Sequence, residues 1–366
     1  DSFTFAESTA SWEPVVFAFG GTNGENSITG TITGTDTINV TISGFTVDGN
    51  NRAPTGRSVG ILLRNVKGTV SDNTVQNMYV DGKETFGIAA YGNSDVTISG
   101  NNVSGYARCG IGVNGDSNGI SSSSYPTPHA VIKGNTVTGP GMGVPVTWAP
   151  NGIQIGYGAT GEILNNNVSG NGWPGEDWTG SGILVCASDD VKVANNTVEQ
   201  NQTGIAVCGY MWNPSGLTAT DTSIDDNTVN NNTYGISIQD KSVNTTITDN
   251  TVKNNTCDGI DICSFYGNPP TGTVIQDNII TGNNTGDNED GAGIWIGESV
   301  DGTEVSINSN NIADNKKYGI LNTSTSTTDI DATRNWWGAA SGPYHETTNP
   351  NGTGNAVSDN VLYYPW

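Results

Sequence analysis

The chain has 366 residues, of which 36 are acidic and 13 are basic, so its formal net charge is −23. A nucleic acid would be repelled by such a surface, which argues against that class of partner. Only 13% of the residues are charged and 50 are glycine, a composition typical of disorder unless periodic apolar residues supply a core. No apolar run is long enough to cross a membrane.

Residues 1–30 form a predicted N-terminal capping segment. They carry aromatic side chains without a regular period, among them Trp12, Phe17 and Phe19. A segment of this kind suits the open end of a repeat structure, where strand edges are unpaired. The repeats themselves are predicted to occupy residues 31–334 as one elongated domain.

An asparagine motif returns nine times within the repeats, with an apolar residue three positions earlier and valine or isoleucine two positions later. Successive asparagines lie 23 to 34 residues apart, a period that indicates a solenoid. They are Asn73, Asn101, Asn135, Asn166, Asn196, Asn227, Asn250, Asn278 and Asn310. Stacked at a corner, their amides would form a ladder that satisfies backbone groups of the bend. Ordinary surface turns are the alternative, because asparagine is common in turns.

A second motif, Gly-Ile, alternates with the first. In segments such as Gly235 to Ile238, apolar residues occupy every second position, as in a strand with one buried face. Each turn of the chain would hold at least two short strands, which must stack on the next turn to bury that face. The predicted fold is an all-β, right-handed, single-stranded parallel β-helix of about ten turns with capped ends.

Five cysteines occur, and two of them occupy equivalent repeat positions. Cys186 and Cys208 each follow the glycine of a Gly-Ile motif by four residues, so they should lie on neighbouring turns within disulfide reach. Two buried free thiols are the alternative. With His129 and His345 as the only histidines, a zinc site of cysteine and histidine is not expected.

Two insertions, residues 139–150 and 171–178, should emerge side by side on consecutive turns. Aromatic planes beside carboxylates suit a sugar-binding groove, and paired carboxylates suit glycoside hydrolysis. The candidate sugar-binding side chains are Trp148, Trp173 and Trp178, and the candidate catalytic carboxylates are Glu176 and Asp177. Structural or surface loops are the alternative.

An acidic turn, residues 284–290, could coordinate Ca²⁺ through Asp287 and Asp290 or could simply be solvated. No other cofactor is expected. Residues 335–366 form a predicted C-terminal capping tail, whose Trp336 and Trp337 would cover the last turn. Alternatively, one end stays open and accepts the next molecule.

The asparagine and Gly-Ile motifs together resemble the parallel β-helix repeats of the pectin-lyase-like superfamily. The ending from Asn335-Trp-Trp-Gly338 to Tyr364-Pro-Trp366 resembles the tails of repeat-rich cell-surface proteins common in methanogenic archaea. Relatives of the repeats include polysaccharide lyases, hydrolases, epimerases and envelope components. The resemblance therefore implies fold and an extracellular or cell-surface location more than it implies one activity.

Asp258 and Asp261 are further catalytic candidates that this resemblance implies. The segment Cys257-Asp-Gly-Ile-Asp261 is similar to the Asn-Thr-Asp-Gly-Ile-Asp motif of polygalacturonase-like hydrolases, whose aspartates act as acid and base. Here a cysteine intervenes after Asn255-Thr256, and the Gly-His-Gly and Arg-Ile-Lys motifs of that family are missing. Similar segments occur elsewhere in the chain as part of the repeat.

Two functions from different classes follow. The favoured one is a structural envelope protein of a surface layer, sheath or adhesin-like filament, whose rigid units self-associate and carry glycans on Asn-x-Ser/Thr sequons. Its partners would be copies of itself and cell-surface polysaccharide. The alternative is a secreted polysaccharide hydrolase or lyase with a substrate groove along the β-helix.

Overall fold

The computed structural model describes residues 12–20, 36–50, 56–115, 127–175, 179–210, 216–326 and 328–366. Its architecture is a parallel β-solenoid of three long sheets, and each turn of the chain adds one strand to each sheet in succession. Parallel strands joined by such crossovers follow a right-handed path. The predicted right-handed parallel β-helix of about ten turns is confirmed.

The first sheet has twelve strands, which contain most of the Gly-Ile motifs. They are Trp12–Phe19, Arg57–Arg64, Thr85–Tyr91, Cys109–Asn114, Asn151–Gly156, Ser181–Cys186, Thr203–Cys208, Tyr234–Ile238, Ile260–Ile262, Ala292–Ile296, Tyr318–Asn322 and Ala356–Val357. In the motif, the glycine meets the next turn so closely that a Cβ at Gly204 would lie 2.5 Å from the carbonyl oxygen of Gly235. Glycine therefore allows the backbones of neighbouring turns to approach.

The second and third sheets contain the strands on either side of the asparagine motif. The second sheet comprises Ile38–Ser43, Val66–Ser71, Asp95–Ser99, His129–Lys133, Thr160–Leu164, Lys192–Ala194, Ser223–Asp225, Thr246–Thr248, Thr273–Gln276, Val305–Asn308, Ile330–Asp331 and Val361–Leu362. The third comprises Thr46–Asp48, Thr74–Gln76, Asn102–Ser104, Thr136–Thr138, Asn167–Ser169, Thr197–Glu199, Thr228–Asn230, Thr251–Lys253, Ile279–Thr281 and Asn311–Ala313. A small extra pair joins Ala219–Thr220 and Ser242–Val243.

The inward-facing side chains of the strands form one continuous apolar core that extends from Ala18 to Val361. In the strand Tyr234–Ile238, both isoleucines are fully buried while Ser237 points to the outer face. Because side chains alternate along a strand, the same alternation on every turn produces columns of residues on the outside of the first sheet. One of these columns contains Ser237, Asp261 and Trp295.

The predicted asparagine ladder is present at the corner between the second and third sheets. At Asn101, the backbone N–H and Nδ2 both donate to Oδ1 of Asn135, at 2.9 Å each, and Nδ2 also donates to the carbonyl oxygen of Val70. The same bonds repeat at the other eight predicted asparagines, and Asn335 adds a tenth. The preceding residue, such as Gly134 or Asp249, adopts positive φ to make the bend.

A second asparagine ladder, which the sequence reasoning missed, runs along the next corner. It contains Asn171, Asn201, Asn232, Asn255, Asn283, Asn315 and Asn355. Its members from Asn171 to Asn315 lie five residues after a member of the first ladder. The spacing Asn-x-apolar-x-x-Asn could therefore have predicted the second ladder. The hydroxyl group of Tyr106 donates to Asn171 at the start of this ladder.

The two ends of the solenoid are built differently. Residues 12–19, within the predicted N-terminal capping segment, form a regular strand parallel to Arg57–Arg64. At the other end Trp337 is fully buried, whereas Trp336 is 48% exposed. The boundaries of the predicted capping segments stay predictions. A short 3-10 helix, Gly302–Glu304, interrupts one turn, and within the described ranges no helix is long and apolar enough to cross a bilayer.

Candidate active-site groove

A groove of about 650 Å³ opens on the outer face of the first sheet, near the strands Tyr234–Ile238, Ile260–Ile262 and Ala292–Ile296. We call it the acidic groove, because Asp258 and Asp261 lie in its lining. Phe265, Tyr266 and Trp295 line the same groove. A groove of this size that combines apolar walls with a few polar groups is typical of a ligand site.

The β-helix itself places Asp261 in the groove. Asp261 is the middle residue of Ile260–Ile262, and its two isoleucine neighbours point into the core. Alternation therefore sends the Asp261 carboxylate to the outer face, between Ser237 on one turn and Trp295 on the next.

Asp258 precedes the same strand and is fixed by both neighbouring turns. Its carbonyl oxygen accepts a hydrogen bond from the backbone N–H of Gly235 (3.0 Å). Its carboxylate atom Oδ1 accepts one from the backbone N–H of Ala292 (2.8 Å). These bonds bring Asp258 and Asp261 to the same part of the groove, so that each carboxylate is mostly buried.

The hydrogen bonds of Asp261 leave one of its oxygen atoms unpaired. Oδ2 accepts from the Ser237 hydroxyl group at 2.6 Å, and that hydroxyl oxygen in turn accepts from Nε2 of Gln239. In the described part of the chain, Oδ1 of Asp261 and Nε1 of Trp295 are buried without partners. Each is a buried polar atom for which the described residues supply no hydrogen bond, an uncommon arrangement in folded proteins.

Both carboxyl groups have raised pKa values. Burial, followed by the charge of Asp261, raises the pKa of Asp258 to about 7. Burial raises the pKa of Asp261 to about 6, although hydrogen bonds from Ser237 and Cys263 act in the opposite direction. Near neutral pH the pair therefore holds about one proton, with Asp258 the more protonated group.

The two cysteines of the groove are thiols rather than thiolates. Burial, followed by the charge of Asp258, raises the pKa of Cys257 to about 12. Burial and the charge of Asp261 raise the pKa of Cys263 further still. Because the thiolate is the reactive form of cysteine, neither side chain is suited to act as a nucleophile at neutral pH.

A second cavity, of about 690 Å³, lies next to the acidic groove toward the C-terminal end. Glu289 lines both cavities. Tyr318 and Tyr344 line the second one, together with His345, whose Nε2 lies 3.2 Å from a carboxylate oxygen of Asp359. The two cavities therefore adjoin one another at Glu289.

The insertions predicted to bind sugar do not line the acidic groove in the described part of the chain. They do contact each other, since Nε1 of Trp173 donates to the carbonyl oxygen of Val146. Trp148 is 44% exposed on the first insertion. The remaining candidates of the second insertion, Glu176, Asp177 and Trp178, lie outside the described residues.

The two predicted calcium ligands, Asp287 and Asp290, have different surroundings in the structure. The carboxylate of Asp287 lies 3.1 Å from Nζ of Lys316 and 4.0 Å from Nζ of Lys317, while Asp290 lines the acidic groove. Among the described residues, no group of three or more acidic, histidine or cysteine side chains is arranged to hold a metal. Calcium binding stays a prediction.

Cys186 and Cys208 lie opposite one another on neighbouring strands, as the repeat predicts. Both are buried free thiols in this structure, as are Cys109 and Cys263. The disulfide expected between Cys186 and Cys208 is therefore not formed here. Their thiols instead pack with Tyr157, Tyr210 and nearby apolar side chains.

Comparison with known proteins relates the chain to β-helices by sequence and by structure. The family model "Right handed beta helix region" matches residues 86–268, and a model described as "Protein of unknown function (DUF1565)" matches residues 215–334. No curated protein sequence matches significantly.

Two solved structures have the same fold at low sequence identity. The A-module of the Azotobacter vinelandii mannuronan C-5 epimerase AlgE6 aligns at 16% identity over 90% of this chain and 89% of its own, with a TM-score of 0.53. The periplasmic alginate epimerase AlgG aligns at 14% identity over 90% and 77%, with a TM-score of 0.52. Since the first family model covers half of the chain, the protein belongs to the right-handed β-helix family.

Proposed function

We propose that the chain is a polysaccharide-active enzyme that hydrolyses a glycosidic bond in the acidic groove. The observation that carries this proposal is the pair of buried carboxyl groups, Asp258 and Asp261, in one open groove with aromatic walls. Glycoside hydrolases use two carboxyl groups in this way, one as a proton donor and one as a base or nucleophile.

Asp258 is the proposed general acid. Its Oδ1 accepts the N–H of Ala292, so the proton of the acid form resides on Oδ2, which lies 3.5 Å from Sγ of Cys257 and transfers that proton to the glycosidic oxygen as the C–O bond breaks. Asp261 is the proposed base, since its pKa is the lower of the two. It takes a proton from the water that attacks the anomeric carbon.

The proposed substrate is an uncharged sugar polymer. No lysine or arginine is found among the described side chains that line the acidic groove, and the whole chain is strongly acidic. A polyuronate would therefore meet repulsion that nothing in the described groove offsets. Glu289 borders both cavities, which gives room for more than one sugar unit, and both structural relatives are named for a polysaccharide, although theirs, mannuronan or alginate, is a polyuronate.

Activity on neutral polysaccharides tests the proposal directly. Release of reducing ends should be maximal between about pH 6 and 7, because the acid must be protonated and the base ionised. Asp258→Asn and Asp261→Asn should each lower kcat by about 10²- to 10⁴-fold. Asp95→Asn, which changes an exposed carboxylate on the second sheet, is the matched control and should leave kcat unchanged. Full activity in Asp258→Asn would refute the assignment.

A structural envelope role is the second candidate, and the C-terminal end favours it. Leu362, Tyr364 and Trp366 are 48%, 69% and 41% exposed beside the last strand of the second sheet, Val361–Leu362. Such an apolar end could dock on another copy outside the cell, where we propose that the protein acts. Electron microscopy of the purified protein would reveal filaments or lattices if this role holds, and monodisperse particles if it does not.

A further inference from the structure

One wall of the acidic groove is a turn, residues 264–268, that is held by a carboxylate of the preceding turn of the solenoid. Asp240 is fully buried and accepts hydrogen bonds from the Ser264 hydroxyl group (2.6 Å) and from the backbone N–H groups of Phe265 (2.7 Å), Tyr266 (3.0 Å) and Asn268 (3.2 Å). Hydrogen bonds to a carboxylate are stronger than those between neutral groups. The backbone of this turn is therefore fixed before any ligand arrives.

The side chains that this turn presents are aromatic and remain in water. Phe265 is 68% exposed and Tyr266 is 46% exposed, and both line the groove that contains Asp258 and Asp261. Burial of a phenylalanine ring is favourable, so an exposed ring is available for contact with a ligand. A rigid turn that holds two exposed rings beside a pair of carboxyl groups is preorganised to bind an apolar surface.

We propose that Phe265 and Tyr266 form a sugar-binding platform for a neutral polysaccharide chain lying along the groove, with Asp240 as its positioning residue. This inference rests on the proposed function, since it assigns the residues that hold the substrate against Asp258 and Asp261. The C–H face of a sugar ring is apolar and flat, so it stacks on an aromatic ring while its hydroxyl groups reach the polar atoms of the floor.

The shape of the site favours a polymer over a single sugar. The platform lies beside the acidic pair, and Glu289 joins this groove to the cavity that contains Tyr318 and Tyr344. A chain bound on the platform could therefore continue into the second cavity toward the C-terminal end. The described lining of the acidic groove contains no lysine or arginine, whereas the second cavity contains Lys317, so an uncharged chain is favoured at the platform itself.

Binding by an inactive protein tests the platform separately from catalysis. The parent for this test is the full chain carrying Asp258→Asn and Asp261→Asn, and the probes are insoluble cellulose, xylan and β-1,3-glucan, with alginate as an anionic polymer. We expect the parent to bind at least one neutral probe and not alginate. Adding Phe265→Ala or Tyr266→Ala should weaken that binding about fivefold to tenfold, because each substitution removes one stacking surface.

Matched controls come from equally exposed rings elsewhere on the molecule. Phe45 is 60% exposed and Tyr79 is 42% exposed, and neither lines the acidic groove. Phe45→Ala and Tyr79→Ala should leave binding unchanged. The inference is overturned if no neutral probe binds to the parent, or if Phe265→Ala and Tyr266→Ala bind as the parent does. Hydrolysis that persists in Asp258→Asn would instead overturn the catalytic assignment alone.

The positioning role of Asp240 has its own readout in the otherwise unchanged chain. Asp240→Asn replaces one acceptor oxygen with a donor, so some of the four hydrogen bonds to the turn are lost. We expect KM for the neutral polymer to rise about tenfold with kcat nearly unchanged, because the acid and base are untouched. Unchanged KM, or a fall in kcat alone, would contradict this role.

Discussion

The carboxyl groups of Asp258 and Asp261 destabilise the folded chain whenever they are ionised. Burial removes water from both, and each ionised group repels the other. Natural sequences retain such groups where chemistry requires a proton donor and a proton acceptor at neutral pH. The cost should therefore be visible as a dependence of stability on pH.

Asp258→Asn should stabilise the folded protein at pH 8 and have little effect at pH 4. The folded-state pKa of Asp258, about 7, lies above its ordinary value of 3.8, so the cost is absent below pH 4, grows as pH rises and is complete above pH 7. Asparagine keeps the acceptor for the N–H of Ala292. Thermal unfolding should show Tm higher by about 2–5 °C at pH 8. Equal shifts at both pH values would contradict this account.

At the scale of elements, the hydrogen bonds at the corners of the turns come mainly from one residue type, asparagine. The strands do not depend on any single residue in this way. Asn166 accepts from the backbone N–H and Nδ2 of Asn135 and donates to the carbonyl oxygen of Ile132 and to Oδ1 of Asn196. These groups are buried, so water cannot replace the lost partner. One asparagine thus serves three turns.

Asn166→Ala should lower the free energy of unfolding by about 2–4 kcal/mol, since it leaves several buried polar groups unpaired. Asn167→Ala is the matched control, because Asn167 is exposed on the adjacent strand position. We expect that control to change the free energy of unfolding by less than about 0.5 kcal/mol. Chemical denaturation of both variants measures the difference. Similar values for the two variants would mean that the ladder contributes little.

The elements that were predictable from the sequence are those fixed by the period. Ile236 and Ile238, or Asn101 and Asn135, recur at equivalent positions, so strand faces and the first ladder follow directly. The second ladder had a fixed offset of five residues that was open to the same reasoning. The aromatic wall was not predictable, because Phe265 enters the groove only through bonds from an irregular turn to Asp240. Asp258 and Asp261 were found, but the sequence does not reveal their burial.

For the whole molecule, the ends decide whether a stack of turns remains separate or grows. Trp337 is fully buried in the apolar core that runs through the solenoid, and its carbonyl oxygen accepts the N–H of Asn355 within the tail. Its side chain therefore anchors the tail to the solenoid. Trp336, the preceding residue, has a half-exposed side chain, and its backbone forms an isolated strand bridge with Asn311 through hydrogen bonds to Asn310 and Ile312.

Trp337→Ala should destabilise the protein by about 3–5 kcal/mol, as expected for removal of a large buried side chain. It should also increase self-association, because a loosened tail uncovers strand edges of the last turn. Trp336→Ala should have little effect on either property. Thermal unfolding combined with light scattering on size-exclusion fractions measures both. A monomeric, fully stable Trp337→Ala protein would show that the tail does not protect this end.

The attachment of residues 264–268 to Asp240 has a consequence for how such proteins change in length. The solenoid could gain or lose one turn with its core and corner amides intact, as repeat proteins do. The wall, however, is shared between two adjacent turns, one giving the carboxylate and the other the rings. A duplication or deletion whose boundary fell between them would yield a well-folded descendant without its recognition surface. The recognition surface is therefore retained only when these two adjacent turns are kept together.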